Sequence, residues 1–202
     1  MVAPVAMLHL LRPRQWLKNL LLLFPPLFGG VLLLPEHVRG LIVPMLAFCL
    51  ASSANYAFND VRDAEQDAMH PVKQHRPIPA GTVSKRTALL VSGVLLNGSF
   101  LCAVTVSWPF TVILAVYVVL IGSYSLWLKH IVLLDIFVIA MGFLLRLQAG
   151  AEAAKVPVST WLFLSVFFLA VFLSVGKRVS EKLTMTDSAA SRSLSEYESG
   201  IA

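Results

Sequence analysis

Charged residues are scarce in this chain: they make up 13% of its 202 residues, against about a quarter in a typical soluble domain. The hydrophobic share is 57% and the mean hydropathy is +0.78. This composition excludes an ordinary soluble domain and predicts a membrane protein. The net charge of +5 therefore indicates topology and anionic substrates, and no nucleic-acid partner is expected.

Only two cysteines, Cys49 and Cys102, are present, and both fall inside apolar stretches. They exclude a disulfide framework and a metal site built on Cys/His spacing. The first residues also lack a basic segment followed by a small-residue cleavage site. We therefore expect the first apolar stretch to be a retained membrane helix and not a cleaved signal.

Six apolar stretches are long enough to cross a bilayer, since a spanning helix needs about 20 residues. They cover residues 17–34, 38–58, 87–106, 109–128, 131–151 and 157–176. The sequence therefore predicts an all-α fold, a polytopic bundle of about six membrane helices. Pro25, Pro26 and Pro44 are expected to kink or locally unwind the first two helices.

Basic residues are distributed unequally between the two sides of this predicted bundle. If alternate loops are assigned to one side, 13 of the 16 Lys and Arg residues lie on that side. Arg39 and Lys155 lie on the other side, and Arg146 lies within the fifth helix. The positive-inside rule predicts that the N-terminus, the loop 59–86, the turn at Lys129 and the C-terminus face the cytoplasm, in a bacterial inner membrane.

The most polar segment begins with clustered acids. Asn59, Asp63 and Asp67 are spaced four residues apart, so that a helix continuing out of the membrane would place them along one face, with Asp60 beside them. Like charges at this spacing repel each other unless a cation lies between them. Mg²⁺ takes oxygen ligands and completes its coordination shell with substrate phosphates. The segment therefore predicts a magnesium site that binds a diphosphate.

Cations follow these acids in the sequence. Lys73 is suited to act as a point charge and Arg76 as a bidentate fork for phosphate. Pro71, Pro77 and Pro79 stiffen the loop that carries them. Spacing alone leaves a solvated cytoplasmic loop as the alternative interpretation.

Three further polar clusters are predicted at the same membrane face. Two of them contain candidate phosphate-binding residues, namely Tyr124, Lys129, Lys177 and Arg178. The third, residues 12–19, contains Lys18 beside Trp16, and an interfacial anchor of the first helix is the favoured interpretation of that cluster.

Two ionisable residues fall inside the fifth predicted helix. Asp135 and Arg146 share a face but lie about 16 Å apart along the helix axis, so they cannot form an ion pair. Ionisable residues within a span are candidate functional residues. Asp135 lies toward the cytoplasmic end and could join the predicted site. Arg146 lies toward the far side, where the sequence fits a structural cation bonded to carbonyl groups and a ligand-binding residue equally well.

These motifs resemble the UbiA-type prenyltransferase superfamily. The resemblance rests on N-D-x-x-D-x-x-x-D at residues 59–67, followed by H-P-x-K-x-x-R-P-I at residues 70–78. Five shorter motifs are similar to the decaprenyl-phosphate phosphoribosyltransferase branch: R-P-x-Q-W-x-K-N at 12–19, Y-S-x-x-x-K at 124–129, L-D at 134–135, G-F-x-L-R at 142–146 and G-K-R at 176–178.

That branch transfers 5-phosphoribose from phosphoribosyl diphosphate to a polyprenyl phosphate, which supplies cell-envelope polysaccharide synthesis. The resemblance implies Mg²⁺ as cofactor, bound by Asn59, Asp60, Asp63 and Asp67. It implies catalytic roles for Asp63, Lys73 and Arg76. It implies substrate binding by Lys18, Lys73, Arg76, Tyr124, Lys129, Lys177 and Arg178, in a protein that contacts the lipid bilayer and could form oligomers.

Two departures from the superfamily pattern bear on this expectation. Users of prenyl diphosphates commonly carry a second aspartate-rich motif after the sixth helix, where this chain has G-K-R-V-S-E at residues 176–181. Family members usually have nine membrane helices, so we expect residues 1–202 to form a single UbiA-like domain without the last three. The alternatives are an aromatic or quinone prenyltransferase and, from a different class, a membrane transporter or scaffold.

Overall fold

The computed structural model describes residues 4–33, 35–128, 131 and 134–176. The α-helices in these ranges are α1 Pro4–Leu11, α2 Phe24–Phe28, α3 Pro35–Gly40, α4 Ile42–Ala68, α5 Lys85–Val106, α6 Trp108–Leu126, α7 Leu134–Ala154 and α8 Thr160–Gly176. Three 3₁₀ helices cover Pro13–Leu23, Val31–Leu33 and Lys73–His75. Every regular element in the described ranges is helical, so the predicted all-α class is confirmed.

Four helical segments in the described part of the chain are long and apolar enough to cross a membrane: Val38–Ala68, which contains α4 and the end of α3, Lys85–Val106, Trp108–Leu126 and Leu134–Ala154. They correspond to the predicted stretches 38–58, 87–106, 109–128 and 131–151. The last predicted stretch, 157–176, corresponds to the shorter apolar helix α8. The chain is therefore a multi-pass membrane protein by the length and composition of its helices.

The stretch predicted as the first span, residues 17–34, is not one continuous helix. It passes through the 3₁₀ helix Pro13–Leu23, the short helix α2 and a further 3₁₀ turn. Pro25 and Pro26 stand in the first turn of α2, where they need no N–H group. Their rings would clash with carbonyl groups four residues earlier in a longer α-helix, which explains why the segment is divided, as the prolines predicted.

The central helix of the bundle is α4. Its small residues Ala47, Ala51 and Ala54 are buried, which lets neighbouring helices approach closely. Ser99 and Ser92 of α5 donate hydrogen bonds to the carbonyl oxygens of Ala47 and Ala54, at 2.7 and 2.8 Å. These bonds between helices fix the middle of α5 against α4.

The 3₁₀ helix Pro13–Leu23 packs against α7 through an unusually close backbone contact. A Cβ atom added at Gly150 would lie 2.0 Å from the carbonyl oxygen of Leu22. Only glycine fits at this position, because any side chain would overlap the backbone of Leu22. The contact holds the first polar segment of the chain against the interior face of α7.

The polar end of α4 continues the helix that crosses the membrane. The 27 residues of α4 span about 40 Å, which exceeds the roughly 30 Å hydrocarbon core of a bilayer. Pro44 lies in the first turn of α4, and the helix is interrupted between α3 and α4 at Leu41. This interruption is expected, because a proline ring clashes with the carbonyl group four residues earlier in a continuous α-helix. Residues 59–67 therefore lie on a regular helix, as the sequence predicted.

Candidate functional site

A cavity of about 610 Å³ is lined by the 3₁₀ helix Pro13–Leu23, α4, α6, α7 and α8. Six of the predicted site residues line it, namely Lys18, Asn59, Asp63, Lys73, Arg76 and Tyr124. Lys129, Lys177 and Arg178 lie outside the described residues. The described structure thus brings together predicted residues that are more than 100 positions apart in the sequence.

A polar stripe of α4 faces the cavity. Asn55, Asn59 and Asp63 all line it, because residues four apart lie on one side of a helix. The Asn59 side-chain amide donates a hydrogen bond of 2.9 Å to Oδ2 of Asp63. Gln66 lines the cavity just beyond them. This stripe presents amide and carboxylate oxygens, which are the ligands Mg²⁺ prefers.

The other two predicted metal ligands lie on the neighbouring face of α4. Asp60 is 1% exposed and Asp67 is 4% exposed, and neither is among the described residues that line the cavity. Each further step of four residues turns the helix by about 40°, so Asp67 lies beyond Asp63 on the side of Asp60, from which it is about 20° away. It is buried against Arg76 and is not among the described lining residues, and its role as a metal ligand stays a prediction.

Two arginines hold these buried carboxylates. Nη2 of Arg12 lies 2.5 Å from Oδ1 of Asp60. Nη1 of Arg76 lies 2.5 Å from Oδ2 of Asp67 and 3.4 Å from Oδ1 of Asp60. Among the described residues, no hydrogen-bond partner reaches the buried Oδ2 of Asp60. The pairs compensate buried charge, and they fix the guanidinium groups of Arg12 and Arg76, both of which also line the cavity.

The described residues contain no group of three or more His, Cys, Asp or Glu side chains that could hold a metal ion by themselves. Mg²⁺ does not require such a group, because it is usually bound by one or two carboxylates together with water and substrate phosphates. Asn59 and Asp63 meet that lower requirement. The donor set therefore fits a magnesium ion that arrives with a diphosphate.

Arg12 is a cavity residue that the sequence pointed to only weakly. The favoured interpretation of the cluster 12–19 was an interfacial anchor, but Arg12 turns inward to Asp60 and lies 5.3 Å over the ring of Tyr56. Its backbone is left-handed, with φ of 51°. Trp16 also bonds inward, to Oγ of Ser53 at 2.9 Å. The basic residues of the cluster were the only available signal, and they do not specify a partner 48 positions away.

Arg146 lies in the cavity wall, bound by uncharged partners. Its Nε donates to Oδ1 of Asn19 at 2.8 Å, its Nη2 to the hydroxyl of Tyr117 at 2.7 Å and its Nη1 to the carbonyl of Gly142 at 2.8 Å. Ser52 of α4 contacts both Asn19 and the Tyr117 hydroxyl, at 3.3 and 3.2 Å. The sequence left Arg146 open and did not single out Tyr117. By contrast, Asp135 is not among the described lining residues.

The charge of the cavity is positive, although the buried Asp60 and Asp67 offset part of it through Arg12 and Arg76. Five basic side chains line it in the described structure: Arg12, Lys18, Lys73, Arg76 and Arg146. Asp63 is the one carboxylate among the described lining residues. The excess of cations that remains, in a cavity with low-dielectric walls, attracts anions. The geometry is therefore that of a site for phosphorylated ligands.

The chain is similar in sequence to known transferases. Residues 22–179 match the family model described as the UbiA prenyltransferase family. The decaprenyl-phosphate phosphoribosyltransferase of Mycolicibacterium smegmatis is 39% identical over 174 residues, which cover 84% of this chain and 55% of that protein. A protein of the same name from Mycobacterium tuberculosis is 37% identical over 195 residues, which cover 94% of this chain and 65% of that protein. The chain thus spans less than two thirds of the length of these relatives.

The fold comparison is consistent with the sequence match. A UbiA homologue from Archaeoglobus fulgidus, whose structure was determined with GPP and Mg²⁺, aligns with a TM-score of 0.74 at 22% identity. The alignment covers 88% of this chain and 64% of that one. At this level of identity the likeness establishes the fold alone. The family model matches most of the length of this chain, and this match establishes that the chain belongs to the UbiA prenyltransferase family.

Proposed function

We propose that the cavity binds phosphoribosyl diphosphate and a polyprenyl phosphate, and that 5-phosphoribose is transferred from the first to the second for cell-envelope polysaccharide synthesis. The observation that carries the proposal is the excess of basic side chains over carboxylates in the cavity lining. A prenyl diphosphate brings one charged group into such a site. The proposed pair brings three, namely the diphosphate, the 5-phosphate and the lipid phosphate. The names of the two mycobacterial relatives support the same chemistry.

Mg²⁺ would be held by Asn59 and Asp63, whose side chains line the cavity. When bound, the ion stabilises the negative charge that develops on the departing diphosphate. Asp60 and Asp67 would reach it only by exchanging their arginine partners. A role for these two carboxylates as metal ligands would therefore require their ion pairs with the arginines to rearrange.

Lys73 and Arg76 would bind the phosphates of the donor. Arg76 is suited to this because Asp60 and Asp67 hold one of its nitrogens, Nη1, and so orient the planar fork that binds phosphate. Lys73 adds a point charge. The acceptor is already an anion, so no strong general base is required, and positioning would supply most of the rate acceleration.

Lys18 and Tyr124 would bind the phosphate of the lipid acceptor, together with Lys129, Lys177 and Arg178 from outside the described residues. Lys18 lies 3.5 Å from the hydroxyl of Tyr56 on the cavity side of α4. The predicted orientation places this site at the cytoplasmic face of a bacterial inner membrane.

The test incubates membranes containing the full chain with Mg²⁺, labelled phosphoribosyl diphosphate and polyprenyl phosphate. We expect labelled lipid, abolished by a chelator and strongly reduced by Asp63→Asn at limiting Mg²⁺. Glu65→Gln is the matched control, because Glu65 is on the same helix but exposed and paired with Lys85. Absence of product with the wild-type chain, or undiminished product with Asp63→Asn, would refute the proposal. A parallel assay with prenyl diphosphate and an aromatic acceptor tests the alternative function, an aromatic or quinone prenyltransferase.

A further inference from the structure

Arg146 is a buried cation without an anionic partner in the described structure. It is 5% exposed, and its three hydrogen-bond acceptors, Asn19, Tyr117 and the Gly142 carbonyl, are all neutral. None of the ion pairs between described residues includes it. An uncompensated charge inside a membrane bundle is strongly unfavourable and is usually retained for a function.

The hydrogen bonds of Arg146 leave part of its donor capacity unused. A guanidinium has five N–H groups, and three are engaged by the bonds described above. The guanidinium also lies over the Tyr117 ring, 4.6 Å from its centroid, but no carboxylate of the described residues pairs with it. Because Arg146 lines the cavity, we expect its remaining donors to contact an anionic ligand there. Asn19 and Tyr117 hold the group in a fixed orientation.

A second, independent observation comes from α4. Asn55 is 8% exposed and lines the same cavity, and its Nδ2 has no hydrogen-bond partner among the described residues. A buried amide donor without a partner is costly unless a ligand satisfies it. Ser52, about one turn earlier on α4, contacts both Asn19 and Tyr117. The two donors therefore belong to the same part of the cavity.

This region is separate from the magnesium position. Asn55 lies one turn before Asn59 on α4, roughly 6 Å further toward the middle of the membrane helix. Asn59 and Asp63 present oxygens for a metal, whereas Arg146 presents only donors and Asn55 adds an unpartnered amide donor. The two ends of the cavity therefore suit different groups of the ligands.

We propose that Arg146 and Asn55 form a second anion subsite that binds a phosphate monoester, deeper in the cavity than the diphosphate. The inference rests on the proposed function for its ligands. Two groups have this chemistry, namely the 5-phosphate of the donor, which the sugar ring separates from the diphosphate, and the phosphate of the lipid acceptor.

The experiment measures binding by calorimetry to the full chain in lipid nanodiscs, using ribose 5-phosphate, geranyl phosphate and magnesium diphosphate as probes. We expect Arg146→Met to weaken binding of one monoester by about tenfold or more, and Arg146→Lys to recover part of it. Magnesium diphosphate should bind all variants within about twofold of wild type, since its position is at Asn59 and Asp63. An effect on ribose 5-phosphate assigns the donor to the subsite, and an effect on geranyl phosphate assigns the acceptor.

Asn55→Ala provides the second variant if Arg146→Met does not fold, because its unpartnered amide contributes nothing to the described hydrogen bonds. Asn97→Ala is the matched control, since Asn97 is exposed on α5 and bonds only to the Gly93 carbonyl in the described structure. Monoester binding that is absent in wild type, or unchanged in folded Arg146→Met or Asn55→Ala, overturns the subsite. Monoester binding that depends on Arg146, without labelled lipid in the transfer assay, refutes phosphoribosyl transfer and leaves the subsite standing.

Discussion

Nη2 of Arg12 lies 2.5 Å from the buried Oδ1 of Asp60, which joins the N-terminal segment to the polar end of α4. The guanidinium also lies over the ring of Tyr56, one turn earlier on the same helix. Arg12 therefore contributes to stability as well as to the charge of the cavity.

Arg12→Met should destabilise the protein, because it leaves the buried Asp60 carboxylate with only the longer contact to Arg76. We expect a loss of about 1–3 kcal/mol in the free energy of unfolding, the cost of leaving a buried polar group poorly satisfied. Unfolding in detergent followed by circular dichroism measures it. Adding Asp60→Asn should recover part of the loss. Arg14→Met is the control, since Arg14 is exposed, and an equal effect of the two single changes would contradict the prediction.

Gly150→Ala tests the close approach of the first polar segment to α7. The new methyl group would overlap the Leu22 carbonyl and push the 3₁₀ helix away, which we expect to cost about 1–3 kcal/mol of unfolding free energy. Gly93→Ala is the matched control, because no atom lies within 4 Å of its added Cβ. Helix propensity alone should make that variant up to about 1 kcal/mol more stable. Equal stabilities of the two variants would count against the described contact.

The sequence predicted those parts of the fold that depend on local patterns, namely apolar stretches and prolines. Four of the six apolar stretches correspond to helices long enough to cross a membrane, and the acids at residues 59–67 predicted that α4 continues beyond its apolar part. The divided first segment was also foreseeable, because a proline acts on the helix turn just before it.

The arrangement of the site depended on contacts that sequence spacing does not contain. The pairing of Arg12 with Asp60 and the group formed by Arg146, Asn19 and Tyr117 join residues from different helices. Such contacts follow from helix packing, which a single sequence does not specify. The burial of Asp67 against Arg76 likewise depends on how the loop that carries Arg76 folds back onto α4, which the spacing of the acids does not contain.

Asp63→Asn and Asp67→Asn should affect magnesium dependence differently. Asp63 lines the cavity, so its variant should raise the Mg²⁺ concentration for half-maximal transfer by about tenfold or more, through loss of a charged ligand. Asp67 binds Arg76, so its variant should leave that concentration nearly unchanged and raise the KM for phosphoribosyl diphosphate. Magnesium titrations at saturating donor separate the two effects. A large shift with Asp67→Asn would mean that this carboxylate leaves Arg76 to bind the metal.

Lys73→Ala should weaken donor binding, because Lys73 lines the cavity beside Arg76 and charge-assisted contacts to phosphate are strong. We expect the KM for phosphoribosyl diphosphate to rise about tenfold, equivalent to about 1.4 kcal/mol, with a smaller change in kcat. Lys85→Ala is the matched control, since Lys85 follows in the same polar region but is exposed and paired with Glu65, and exposed pairs contribute little. Raising the salt concentration should narrow the difference between wild type and Lys73→Ala, because ions screen a point charge. Equal KM values for the two lysine variants would remove Lys73 from the donor site.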